Sequence, residues 1–356
     1  MADPTRERWS VTRTGSLDVL RLERDRLAPP GPGEVTVSVR AVGLNLADVF
    51  ACLGLYSATP PTPFTPGLEA AGVVEAVGPP GSADGPPGPG WRPGDRVIAL
   101  TRFGGYATAI NADARYLRPL PEGWSFAQGA AFAVQALTAW YALHTLARVQ
   151  PRDVVLVHSG AGGVGLNALA LAEACSATAV ATVGSESKRS LLAERAGLAP
   201  ERVIVRDRRR FAEQLDDALH AVGAPGFDIV LDGIAGPFFL PAFKRLQPEG
   251  RMVIFGASDM MPAGRRMSRL RLLPRYLRRP RIDPMRMMSS NRSVMAFNLI
   301  WLWDRVDRLD ALYEPMAAVL RDPPLVGRVF PFGEAPEALR WMKTGESVGK
   351  IVLEVT

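Results

Sequence analysis

Along residues 11–124 the apolar and polar positions alternate with a period of two wherever they form a pattern. Val35-Thr36-Val37-Ser38-Val39-Arg40 is the clearest run, and 72–78 and 96–100 resemble it. Successive side chains of a strand point to opposite faces, so each run reads as a strand with one face buried. The Pro- and Gly-dense run 79–93 can be neither helix nor inner strand, which predicts an exposed loop without chemistry. From Ser125 onward the texture changes. Helical periods over 126–147, 166–175, 187–196, 211–222 and 237–246 alternate with short apolar runs at 154–157, 179–183, 202–205, 228–232, 250–255 and 293–297. Such alternation with short connections predicts an α/β fold with a doubly wound parallel sheet. Residues 326–356 return to strand and amphipathic helix.

One turn stands out. Val154-Val155-Leu156-Val157 reads as a buried strand and runs through His158-Ser159-Gly160-Ala161-Gly162-Gly163-Val164-Gly165 into an Ala/Leu-rich helix. Gly160, Gly162 and Gly165 fit G-x-G-x-x-G in a strand–turn–helix setting. The first glycine allows a tight turn, the second a close approach of backbone to a pyrophosphate, and the third close packing of helix on strand. The N–H groups and the dipole of the helix start would then face the phosphates. The alternative is a tight β–α turn without a ligand. Sites selecting NAD place an acid about 20 residues beyond the glycines, on the ribose 2′-OH. Here that position is Gly184, and Ser185, Lys188 and Arg189, with Arg206 after the next strand, offer a hydroxyl and cations suited to a 2′-phosphate. This polarity points to NADPH rather than NADH, unless Lys188 and Arg189 merely decorate a helix start.

Composition narrows the class. At 356 residues the chain has room for two domains, and 47% apolar with 22% charged residues describes a soluble globular protein. Two cysteines, Cys52 and Cys175, give neither a disulfide framework nor a structural zinc cluster, which predicts a reducing, cytoplasmic setting. Residues 1–10 lack the apolar core of a signal peptide. The longest apolar run, 129–147, is interrupted by Gln135, Thr138 and His144, so it reads as a buried helix rather than a membrane span.

The net charge of +6 is local. Residues 262–292 carry ten arginines against Asp283 alone, a balance of +9, so the remainder of the chain sums to −3. Leu270, Leu272, Leu273, Leu277, Met285, Met287 and Met288 are interleaved with those arginines. The mixture suggests an amphipathic surface for anionic lipid, or a lid over a substrate cleft, with a solvated loop or subunit contact as the plain alternative. No nucleic-acid module accompanies it, and no nucleic-acid partner is expected.

Ordered motifs spread over nearly the whole chain add a resemblance. Gly43-Leu44-Asn45-Leu46-Ala47-Asp48, Gly54-Leu55-Tyr56, Pro63-Phe64-Thr65-Pro66-Gly67-Leu68-Glu69-Ala70-Ala71-Gly72, Leu137-Thr138-Ala139-Trp140, the glycine turn and Val348-Gly349-Lys350 resemble the medium-chain dehydrogenase/reductases in their zinc-free quinone oxidoreductase branch. Within it the chain looks most like the synaptic vesicle membrane protein group of the vesicle-amine-transport type. The resemblance implies a Rossmann NADP-binding domain over 125–299, with an Arg-rich insert near 258–291. It also implies a mainly-β GroES-like catalytic domain from 1–124 and 300–356.

The family's alcohol-dehydrogenase members hold zinc with Cys, His and Cys at positions matched here by Asn45, Leu68 and Val134. An amide and two hydrocarbons are not zinc ligands, and His144, His158 and His220 are far apart in sequence, so no metal is expected. The implied chemistry is metal-free hydride transfer from NADPH to a quinone or an α,β-unsaturated carbonyl compound. Tyr56 would be hydrogen-bond donor or proton source at the oxygen, and Asn45 would serve as amide donor there or to the nicotinamide. Thr138, Gly163, Val164, Phe255, Gly256 and Lys350 would line the cofactor. A homodimer through 293–297 is expected. The second hypothesis is a nucleotide-binding protein at a membrane surface, handling lipid, with weak or no reductase activity.

Overall fold

The computed structural model describes residues 5–81, 90–261 and 269–356. Two sheets carry the chain. The first runs in the order Val326–Pro331, Lys350–Glu354, Glu34–Gly43, Glu69–Val77, Arg96–Leu100, Leu117–Pro119, and Ala109–Asp113 also pairs with Glu34–Gly43. Its ladders are antiparallel except for the pair formed by Val326–Pro331 and Lys350–Glu354. The period-two strand at its centre is present but its polar face is largely covered: Val35, Val37 and Val39 are buried, Thr36 is buried too with its hydroxyl donating to Asn111 Oδ1, Ser38 is half-buried, and Arg40 is exposed. The tail therefore returns to the sheet of the N-terminal half, 307 residues of sequence separating Gly43 from Lys350, and contributes two strands to it.

The second sheet is parallel throughout, in the order Val203–Val205, Thr178–Val183, Val154–Val157, Phe227–Asp232, Leu246–Ile254, Ser293–Ala296. Counted along the chain this is 3-2-1-4-5-6, the Rossmann order. It reverses between Val154–Val157 and Phe227–Asp232, which opens a crevice at the carboxyl ends of those strands. All four residues of Val154–Val157 are buried, as a strand covered on both faces requires. The helices Gly163–Ala174, Glu186–Ala196, Phe211–Ala221 and Phe239–Lys244 follow the expected alternation, with every end within three residues of its expected place.

Three expectations need correction or qualification. The continuous helix over 126–147 is three pieces: Phe126–Ala130, Ala133–Trp140 and a π-helical turn at Tyr141–Leu146. Phe132 is driven into the core at the break, with its ring edge-on to Trp124 at 5.1 Å. The freed backbone N–H of Val134 then donates to the Glu69 carboxylate at 3.0 Å. Residues 306–319, expected with the β-rich domain, form a helix whose Leu309, Leu312, Tyr313 and Met316 pack in the same core as Ala133–Leu143 and the strand Val154–Val157. In the Arg-rich insert, residues 262–268 lie outside the described residues, as do 82–89 of the Pro/Gly loop. The remainder forms helices Arg269–Leu277 and Pro284–Ser290, exposing Leu273, Tyr276, Leu277, Met285 and Met288.

Ser293–Ala296 forms an outer edge of the parallel sheet. Among the described residues no helix is long and apolar enough to cross a membrane.

Candidate active site

The crevice at the switch point lies between the two sheets and encloses about 730 Å³. The glycine turn forms one wall. Gly162 caps the helix Gly163–Ala174, and the first bond of that helix runs from the Leu166 N–H to the Gly162 carbonyl at 2.8 Å. The N–H groups of Gly163, Val164 and Gly165 therefore have no preceding helical carbonyl to meet. The glycines of the motif differ in what they face. A Cβ on Gly165 would sit 2.5 Å from the Ser159 carbonyl oxygen, and one on Gly160 would sit 2.9 Å from the Ala181 methyl. Those two serve packing. At Gly162 the nearest atom is 3.3 Å away, so its open face belongs to the cleft.

At the end of the strand Thr178–Val183, two cations line the cleft. Lys188 Nζ donates to the carbonyls of Gly345 at 2.5 Å and Ser347 at 2.8 Å. Arg206 donates to Thr182 Oγ1 at 2.9 Å and lies over the Phe238 ring. Burial lowers the affinity of both for their protons, bringing Arg206 down to about 10. Arg189 does not join them. Its guanidinium donates to the Pro200 carbonyl at 2.9 Å and pairs with Glu186. Ser185 lies outside the lining too, its hydroxyl 3.0 Å from that of Ser187.

His158 is buried under this end, with Nδ1 3.0 Å from Thr182 Oγ1. Burial pushes its proton affinity down to about 4, so the ring is neutral at pH 7. His144 stacks on Trp140 and His220 is exposed on another helix, so the three histidines form no cluster.

The opposite wall is built on a buried polar network. Lys350 Nζ lies 2.5 Å from Glu69 Oε1 and 2.7 Å from Asn45 Oδ1, with Lys350 and Glu69 at 1% and 0% exposure. Asn45 Nδ2 donates to Glu69 Oε1 at 3.0 Å and to the Gly43 carbonyl at 3.4 Å. Asp48 accepts from the N–H groups of Asn45 and Gly67 and from the Tyr106 hydroxyl. Its carboxyl is nevertheless raised to about 6, because burial outweighs those donors.

Two expectations change here. Asn45 has both amide hydrogens and its oxygen engaged, so it has no free donor for a substrate. Lys350 does not line the cleft but lies behind it; its neighbours Gly349 and Ile351 form the surface.

Asn45, Leu68 and Val134 do line one wall together. They do not fit zinc: the amide oxygen already receives an ammonium, and the other two side chains are hydrocarbon. Among the described residues no group of three or more His, Cys, Asp or Glu is placed to hold a metal ion.

The far end of the cleft is apolar. Phe50, Leu55, Leu100, Leu299, Ile300 and Trp303 line it, with Tyr56, Ser57, Asn298 and Thr101, whose hydroxyl is spent on the Gly67 carbonyl, as neutral polar groups. The Tyr56 hydroxyl donates to Asn298 Oδ1 at 2.9 Å across the cleft. Burial pushes its phenol up to about 12, which keeps it protonated at neutral pH. Thr138 lines the cleft, but its hydroxyl is spent on the Val134 carbonyl of its own helix. Phe255 and Gly256 line it as expected; a Cβ on Gly256 would sit 2.8 Å from the Gly233 carbonyl oxygen.

Sequence reasoning missed two residues. Glu69 carried a signal, a lone acid in the apolar run Leu68-Glu69-Ala70-Ala71, whereas Asn298 carried none.

Removing one partner of a buried ion pair strands the other. Lys350→Met is therefore expected to cost about 3–5 kcal/mol of stability, and Glu69→Gln added to it should recover most of that loss. Urea unfolding checks this; an unchanged midpoint for Lys350→Met would contradict the buried pair.

Comparison with known proteins adds the lineage. Residues 31–135 match the alcohol dehydrogenase GroES-like domain and residues 201–353 the zinc-binding dehydrogenase domain. The human synaptic vesicle membrane protein VAT-1 homolog is 31% identical over 348 residues, which is 96% of this chain and 85% of that protein. A segment of a mycocerosic acid synthase-like polyketide synthase of Mycobacterium tuberculosis is 34% identical over 350 residues, 98% of this chain but 15% of the synthase. Among solved structures, the quinone oxidoreductase of Thermus thermophilus, determined also with NADPH, matches at a TM-score of 0.75 with 31% identity over 98% of this chain and 100% of its own. The CurK enoyl reductase matches at 0.80 with 28% identity, covering 99% of both. The chain belongs to the medium-chain dehydrogenase/reductase superfamily of oxidoreductases, close to the VAT-1 homologues and built like the quinone oxidoreductases.

Proposed function

We propose that this chain is an NADPH-dependent reductase of uncharged, apolar quinones or α,β-unsaturated carbonyl compounds, working without zinc. One observation carries the reading: the cleft has two chemically opposite ends. At one end, backbone N–H groups of the glycine turn meet the cations Lys188 and Arg206, which suits a pyrophosphate and a 2′-phosphate. At the other end the described lining holds apolar side chains with the neutral polar groups of Tyr56, Ser57, Thr101 and Asn298, and no carboxylate or cation. Neutral acceptors fit that end; a phosphate-bearing acceptor finds no partner there.

NADPH, when bound, supplies the hydride for an electron-poor carbon. The protein's own part is positioning and electrostatics. The glycine turn and Lys188 hold the cofactor, and the apolar wall excludes water. Tyr56 donates a hydrogen bond to the acceptor oxygen on which negative charge builds. Asn45 acts by holding the wall rigid through Lys350 and Glu69.

The relatives lend support from both sides, since one is a quinone oxidoreductase and another an enoyl reductase. A second reading, a nucleotide-binding protein acting at a membrane surface, is favoured by the exposed Leu, Tyr and Met side chains between arginines on the insert helices. Apart from Ser258 no described residue of that insert lines the cleft, which speaks against a lid. We also infer a homodimer paired through the outer edge of Ser293–Ala296.

Stopped-flow loss of NADPH absorbance with a panel of neutral quinones and enones tests the main reading. Turnover with at least one is expected. None with any acceptor, together with salt-sensitive binding to anionic liposomes, would transfer the case to the second reading.

Fluorescence titration separates the glycines and cations. Gly162→Ala should keep the fold and lose NADPH binding, whereas Gly165→Ala should unfold more readily. Lys188→Ala should weaken NADPH about tenfold, or ~1.4 kcal/mol, with NADH unchanged, and Arg189→Ala should do neither. Equal effects of the Lys188 and Arg189 substitutions would refute the assignment. Light scattering at micromolar concentration should return twice the 38.4 kDa chain mass; a monomer would rule out the edge pairing.

A further inference from the structure

Asn298 is in an odd position for an asparagine. It is the N-cap of the 3-10 turn Leu299–Leu302, with extended backbone, φ −134° and ψ 116°. Asn at such a position usually turns its side-chain oxygen onto an N–H of the turn it caps. Here the side chain makes no capping bond. It reaches instead across the cleft to a tyrosine 242 residues away in sequence.

The tyrosine comes to meet it on a fixed mount. The Tyr56 ring packs edge-on to Phe103 at 6.4 Å, and Phe103 packs edge-on to Phe64 at 5.6 Å. On the other side Phe297, next to Asn298, packs against Tyr141 at 4.9 Å. The tyrosine is thus held by aromatic contacts, Asn298 follows a residue that is itself held by one, and both polar groups line the cleft.

This pairing sets a condition on Tyr56. A phenol has one hydrogen, and here it points at Asn298 Oδ1, so towards the cleft the oxygen can only accept. A carbonyl oxygen arriving in the cleft also only accepts. Tyr56 can donate to it only if the amide gives the hydrogen up. An amide can do so without breaking the contact: turned over, it offers Nδ2–H to the phenol oxygen and leaves the phenol hydrogen free. The side chain of Asn298 has no other hydrogen-bond partner among the described residues to oppose that turn.

We propose that Asn298 is the positioning residue for Tyr56: its amide accepts the phenol hydrogen when the cleft is free of acceptor, and turns over to donate to the phenol oxygen when an acceptor carbonyl is present. This rests on the reading of the chain as a reductase of neutral carbonyl acceptors with Tyr56 as donor, and adds a residue to it. The amide must be able to both accept and donate. That requirement separates a positioning role from a packing one.

The test compares Tyr56→Phe, Asn298→Ala, Asn298→Asp and the double variant Tyr56→Phe/Asn298→Asp in steady-state reduction of a neutral quinone by NADPH. NADPH affinity is read separately by fluorescence titration. Aspartate keeps the shape but only accepts, so it holds the phenol hydrogen permanently; alanine merely releases it. The expected order of kcat is wild type, then Asn298→Ala, then Asn298→Asp, the last lowered about tenfold or more and matching Tyr56→Phe. The double variant should be no slower than Tyr56→Phe, and NADPH affinity should stay within about twofold throughout.

Asn298→Asp at wild-type kcat, or losses that multiply in the double variant, would overturn the role of Asn298 while leaving Tyr56 as donor. Tyr56→Phe at wild-type kcat would overturn the donor and the positioning role together. Reduced NADPH affinity in both Asn298 variants would also overturn it, assigning Asn298 to the cofactor wall instead.

Discussion

The cleft exists because one short segment of the tail stitches the two sheets together. The Gly349 N–H donates to the Ala161 carbonyl inside the glycine turn at 2.8 Å, and Gly162 and Gly349 form a parallel bridge. Lys188 takes the carbonyls of Gly345 and Ser347 from the parallel-sheet side. One residue on, Lys350 turns into the other body and buries its ammonium against Glu69 and Asn45. Gly349 can make this crossing because its backbone is left-handed, φ 52°, and because a Cβ there would meet the Leu325 carbonyl oxygen at 2.2 Å. The glycine turn and the opposite wall are therefore fixed relative to each other by a backbone bridge at Gly349 and by the ammonium groups of Lys188 and Lys350 on either side of it.

The buried ion pair also bears on the absence of zinc ligands. Glu69 touches three elements at once: Asn45 before its helix, Lys350 on the last strand, and the Val134 N–H at the start of Ala133–Trp140. A carboxylate at a helix N-terminus is well placed for the helix dipole, and the ammonium neutralises it. The ammonium accordingly stands behind the wall formed by Asn45, Leu68 and Val134, the positions that the resemblance matches to the zinc ligands of alcohol dehydrogenases. The charge behind this wall is thus internally balanced, and among the described residues no carboxylate lines the cleft. That is the environment in which one phenol hydrogen bond has most effect on a developing oxyanion.

Much of the fold was legible because its signals are local. The strand Val154–Val157, the glycine turn and the helix after it are read from adjacent residues, and the alternation that follows yields the parallel sheet. The packing role expected of Gly165 matches its surroundings, whereas Gly160, expected only to allow a tight turn, also packs against Ala181. What was not legible depends on distance. Asn45 reads as a free amide until Lys350, 305 residues away, is seen on its oxygen. Arg189 and Lys188 are neighbours in sequence, yet one helical step of about 100° sends them to different faces, one to the cleft and one to Pro200. The break at Phe132 was hidden because an apolar helical pattern does not reveal that one of its N–H groups serves a carboxylate elsewhere.

Everything above requires hydride to pass from a cofactor held at the glycine turn to an uncharged acceptor in the apolar end of the same cleft, with no metal taking part. The most direct measurement uses NADPH deuterated at the transferable C4 position, an uncharged enone, and protein dialysed against a zinc chelator, with the product analysed by mass spectrometry. The expected result is saturated product carrying the deuterium at the former β-carbon. Unlabelled product, or label transfer only after zinc is restored, would contradict it.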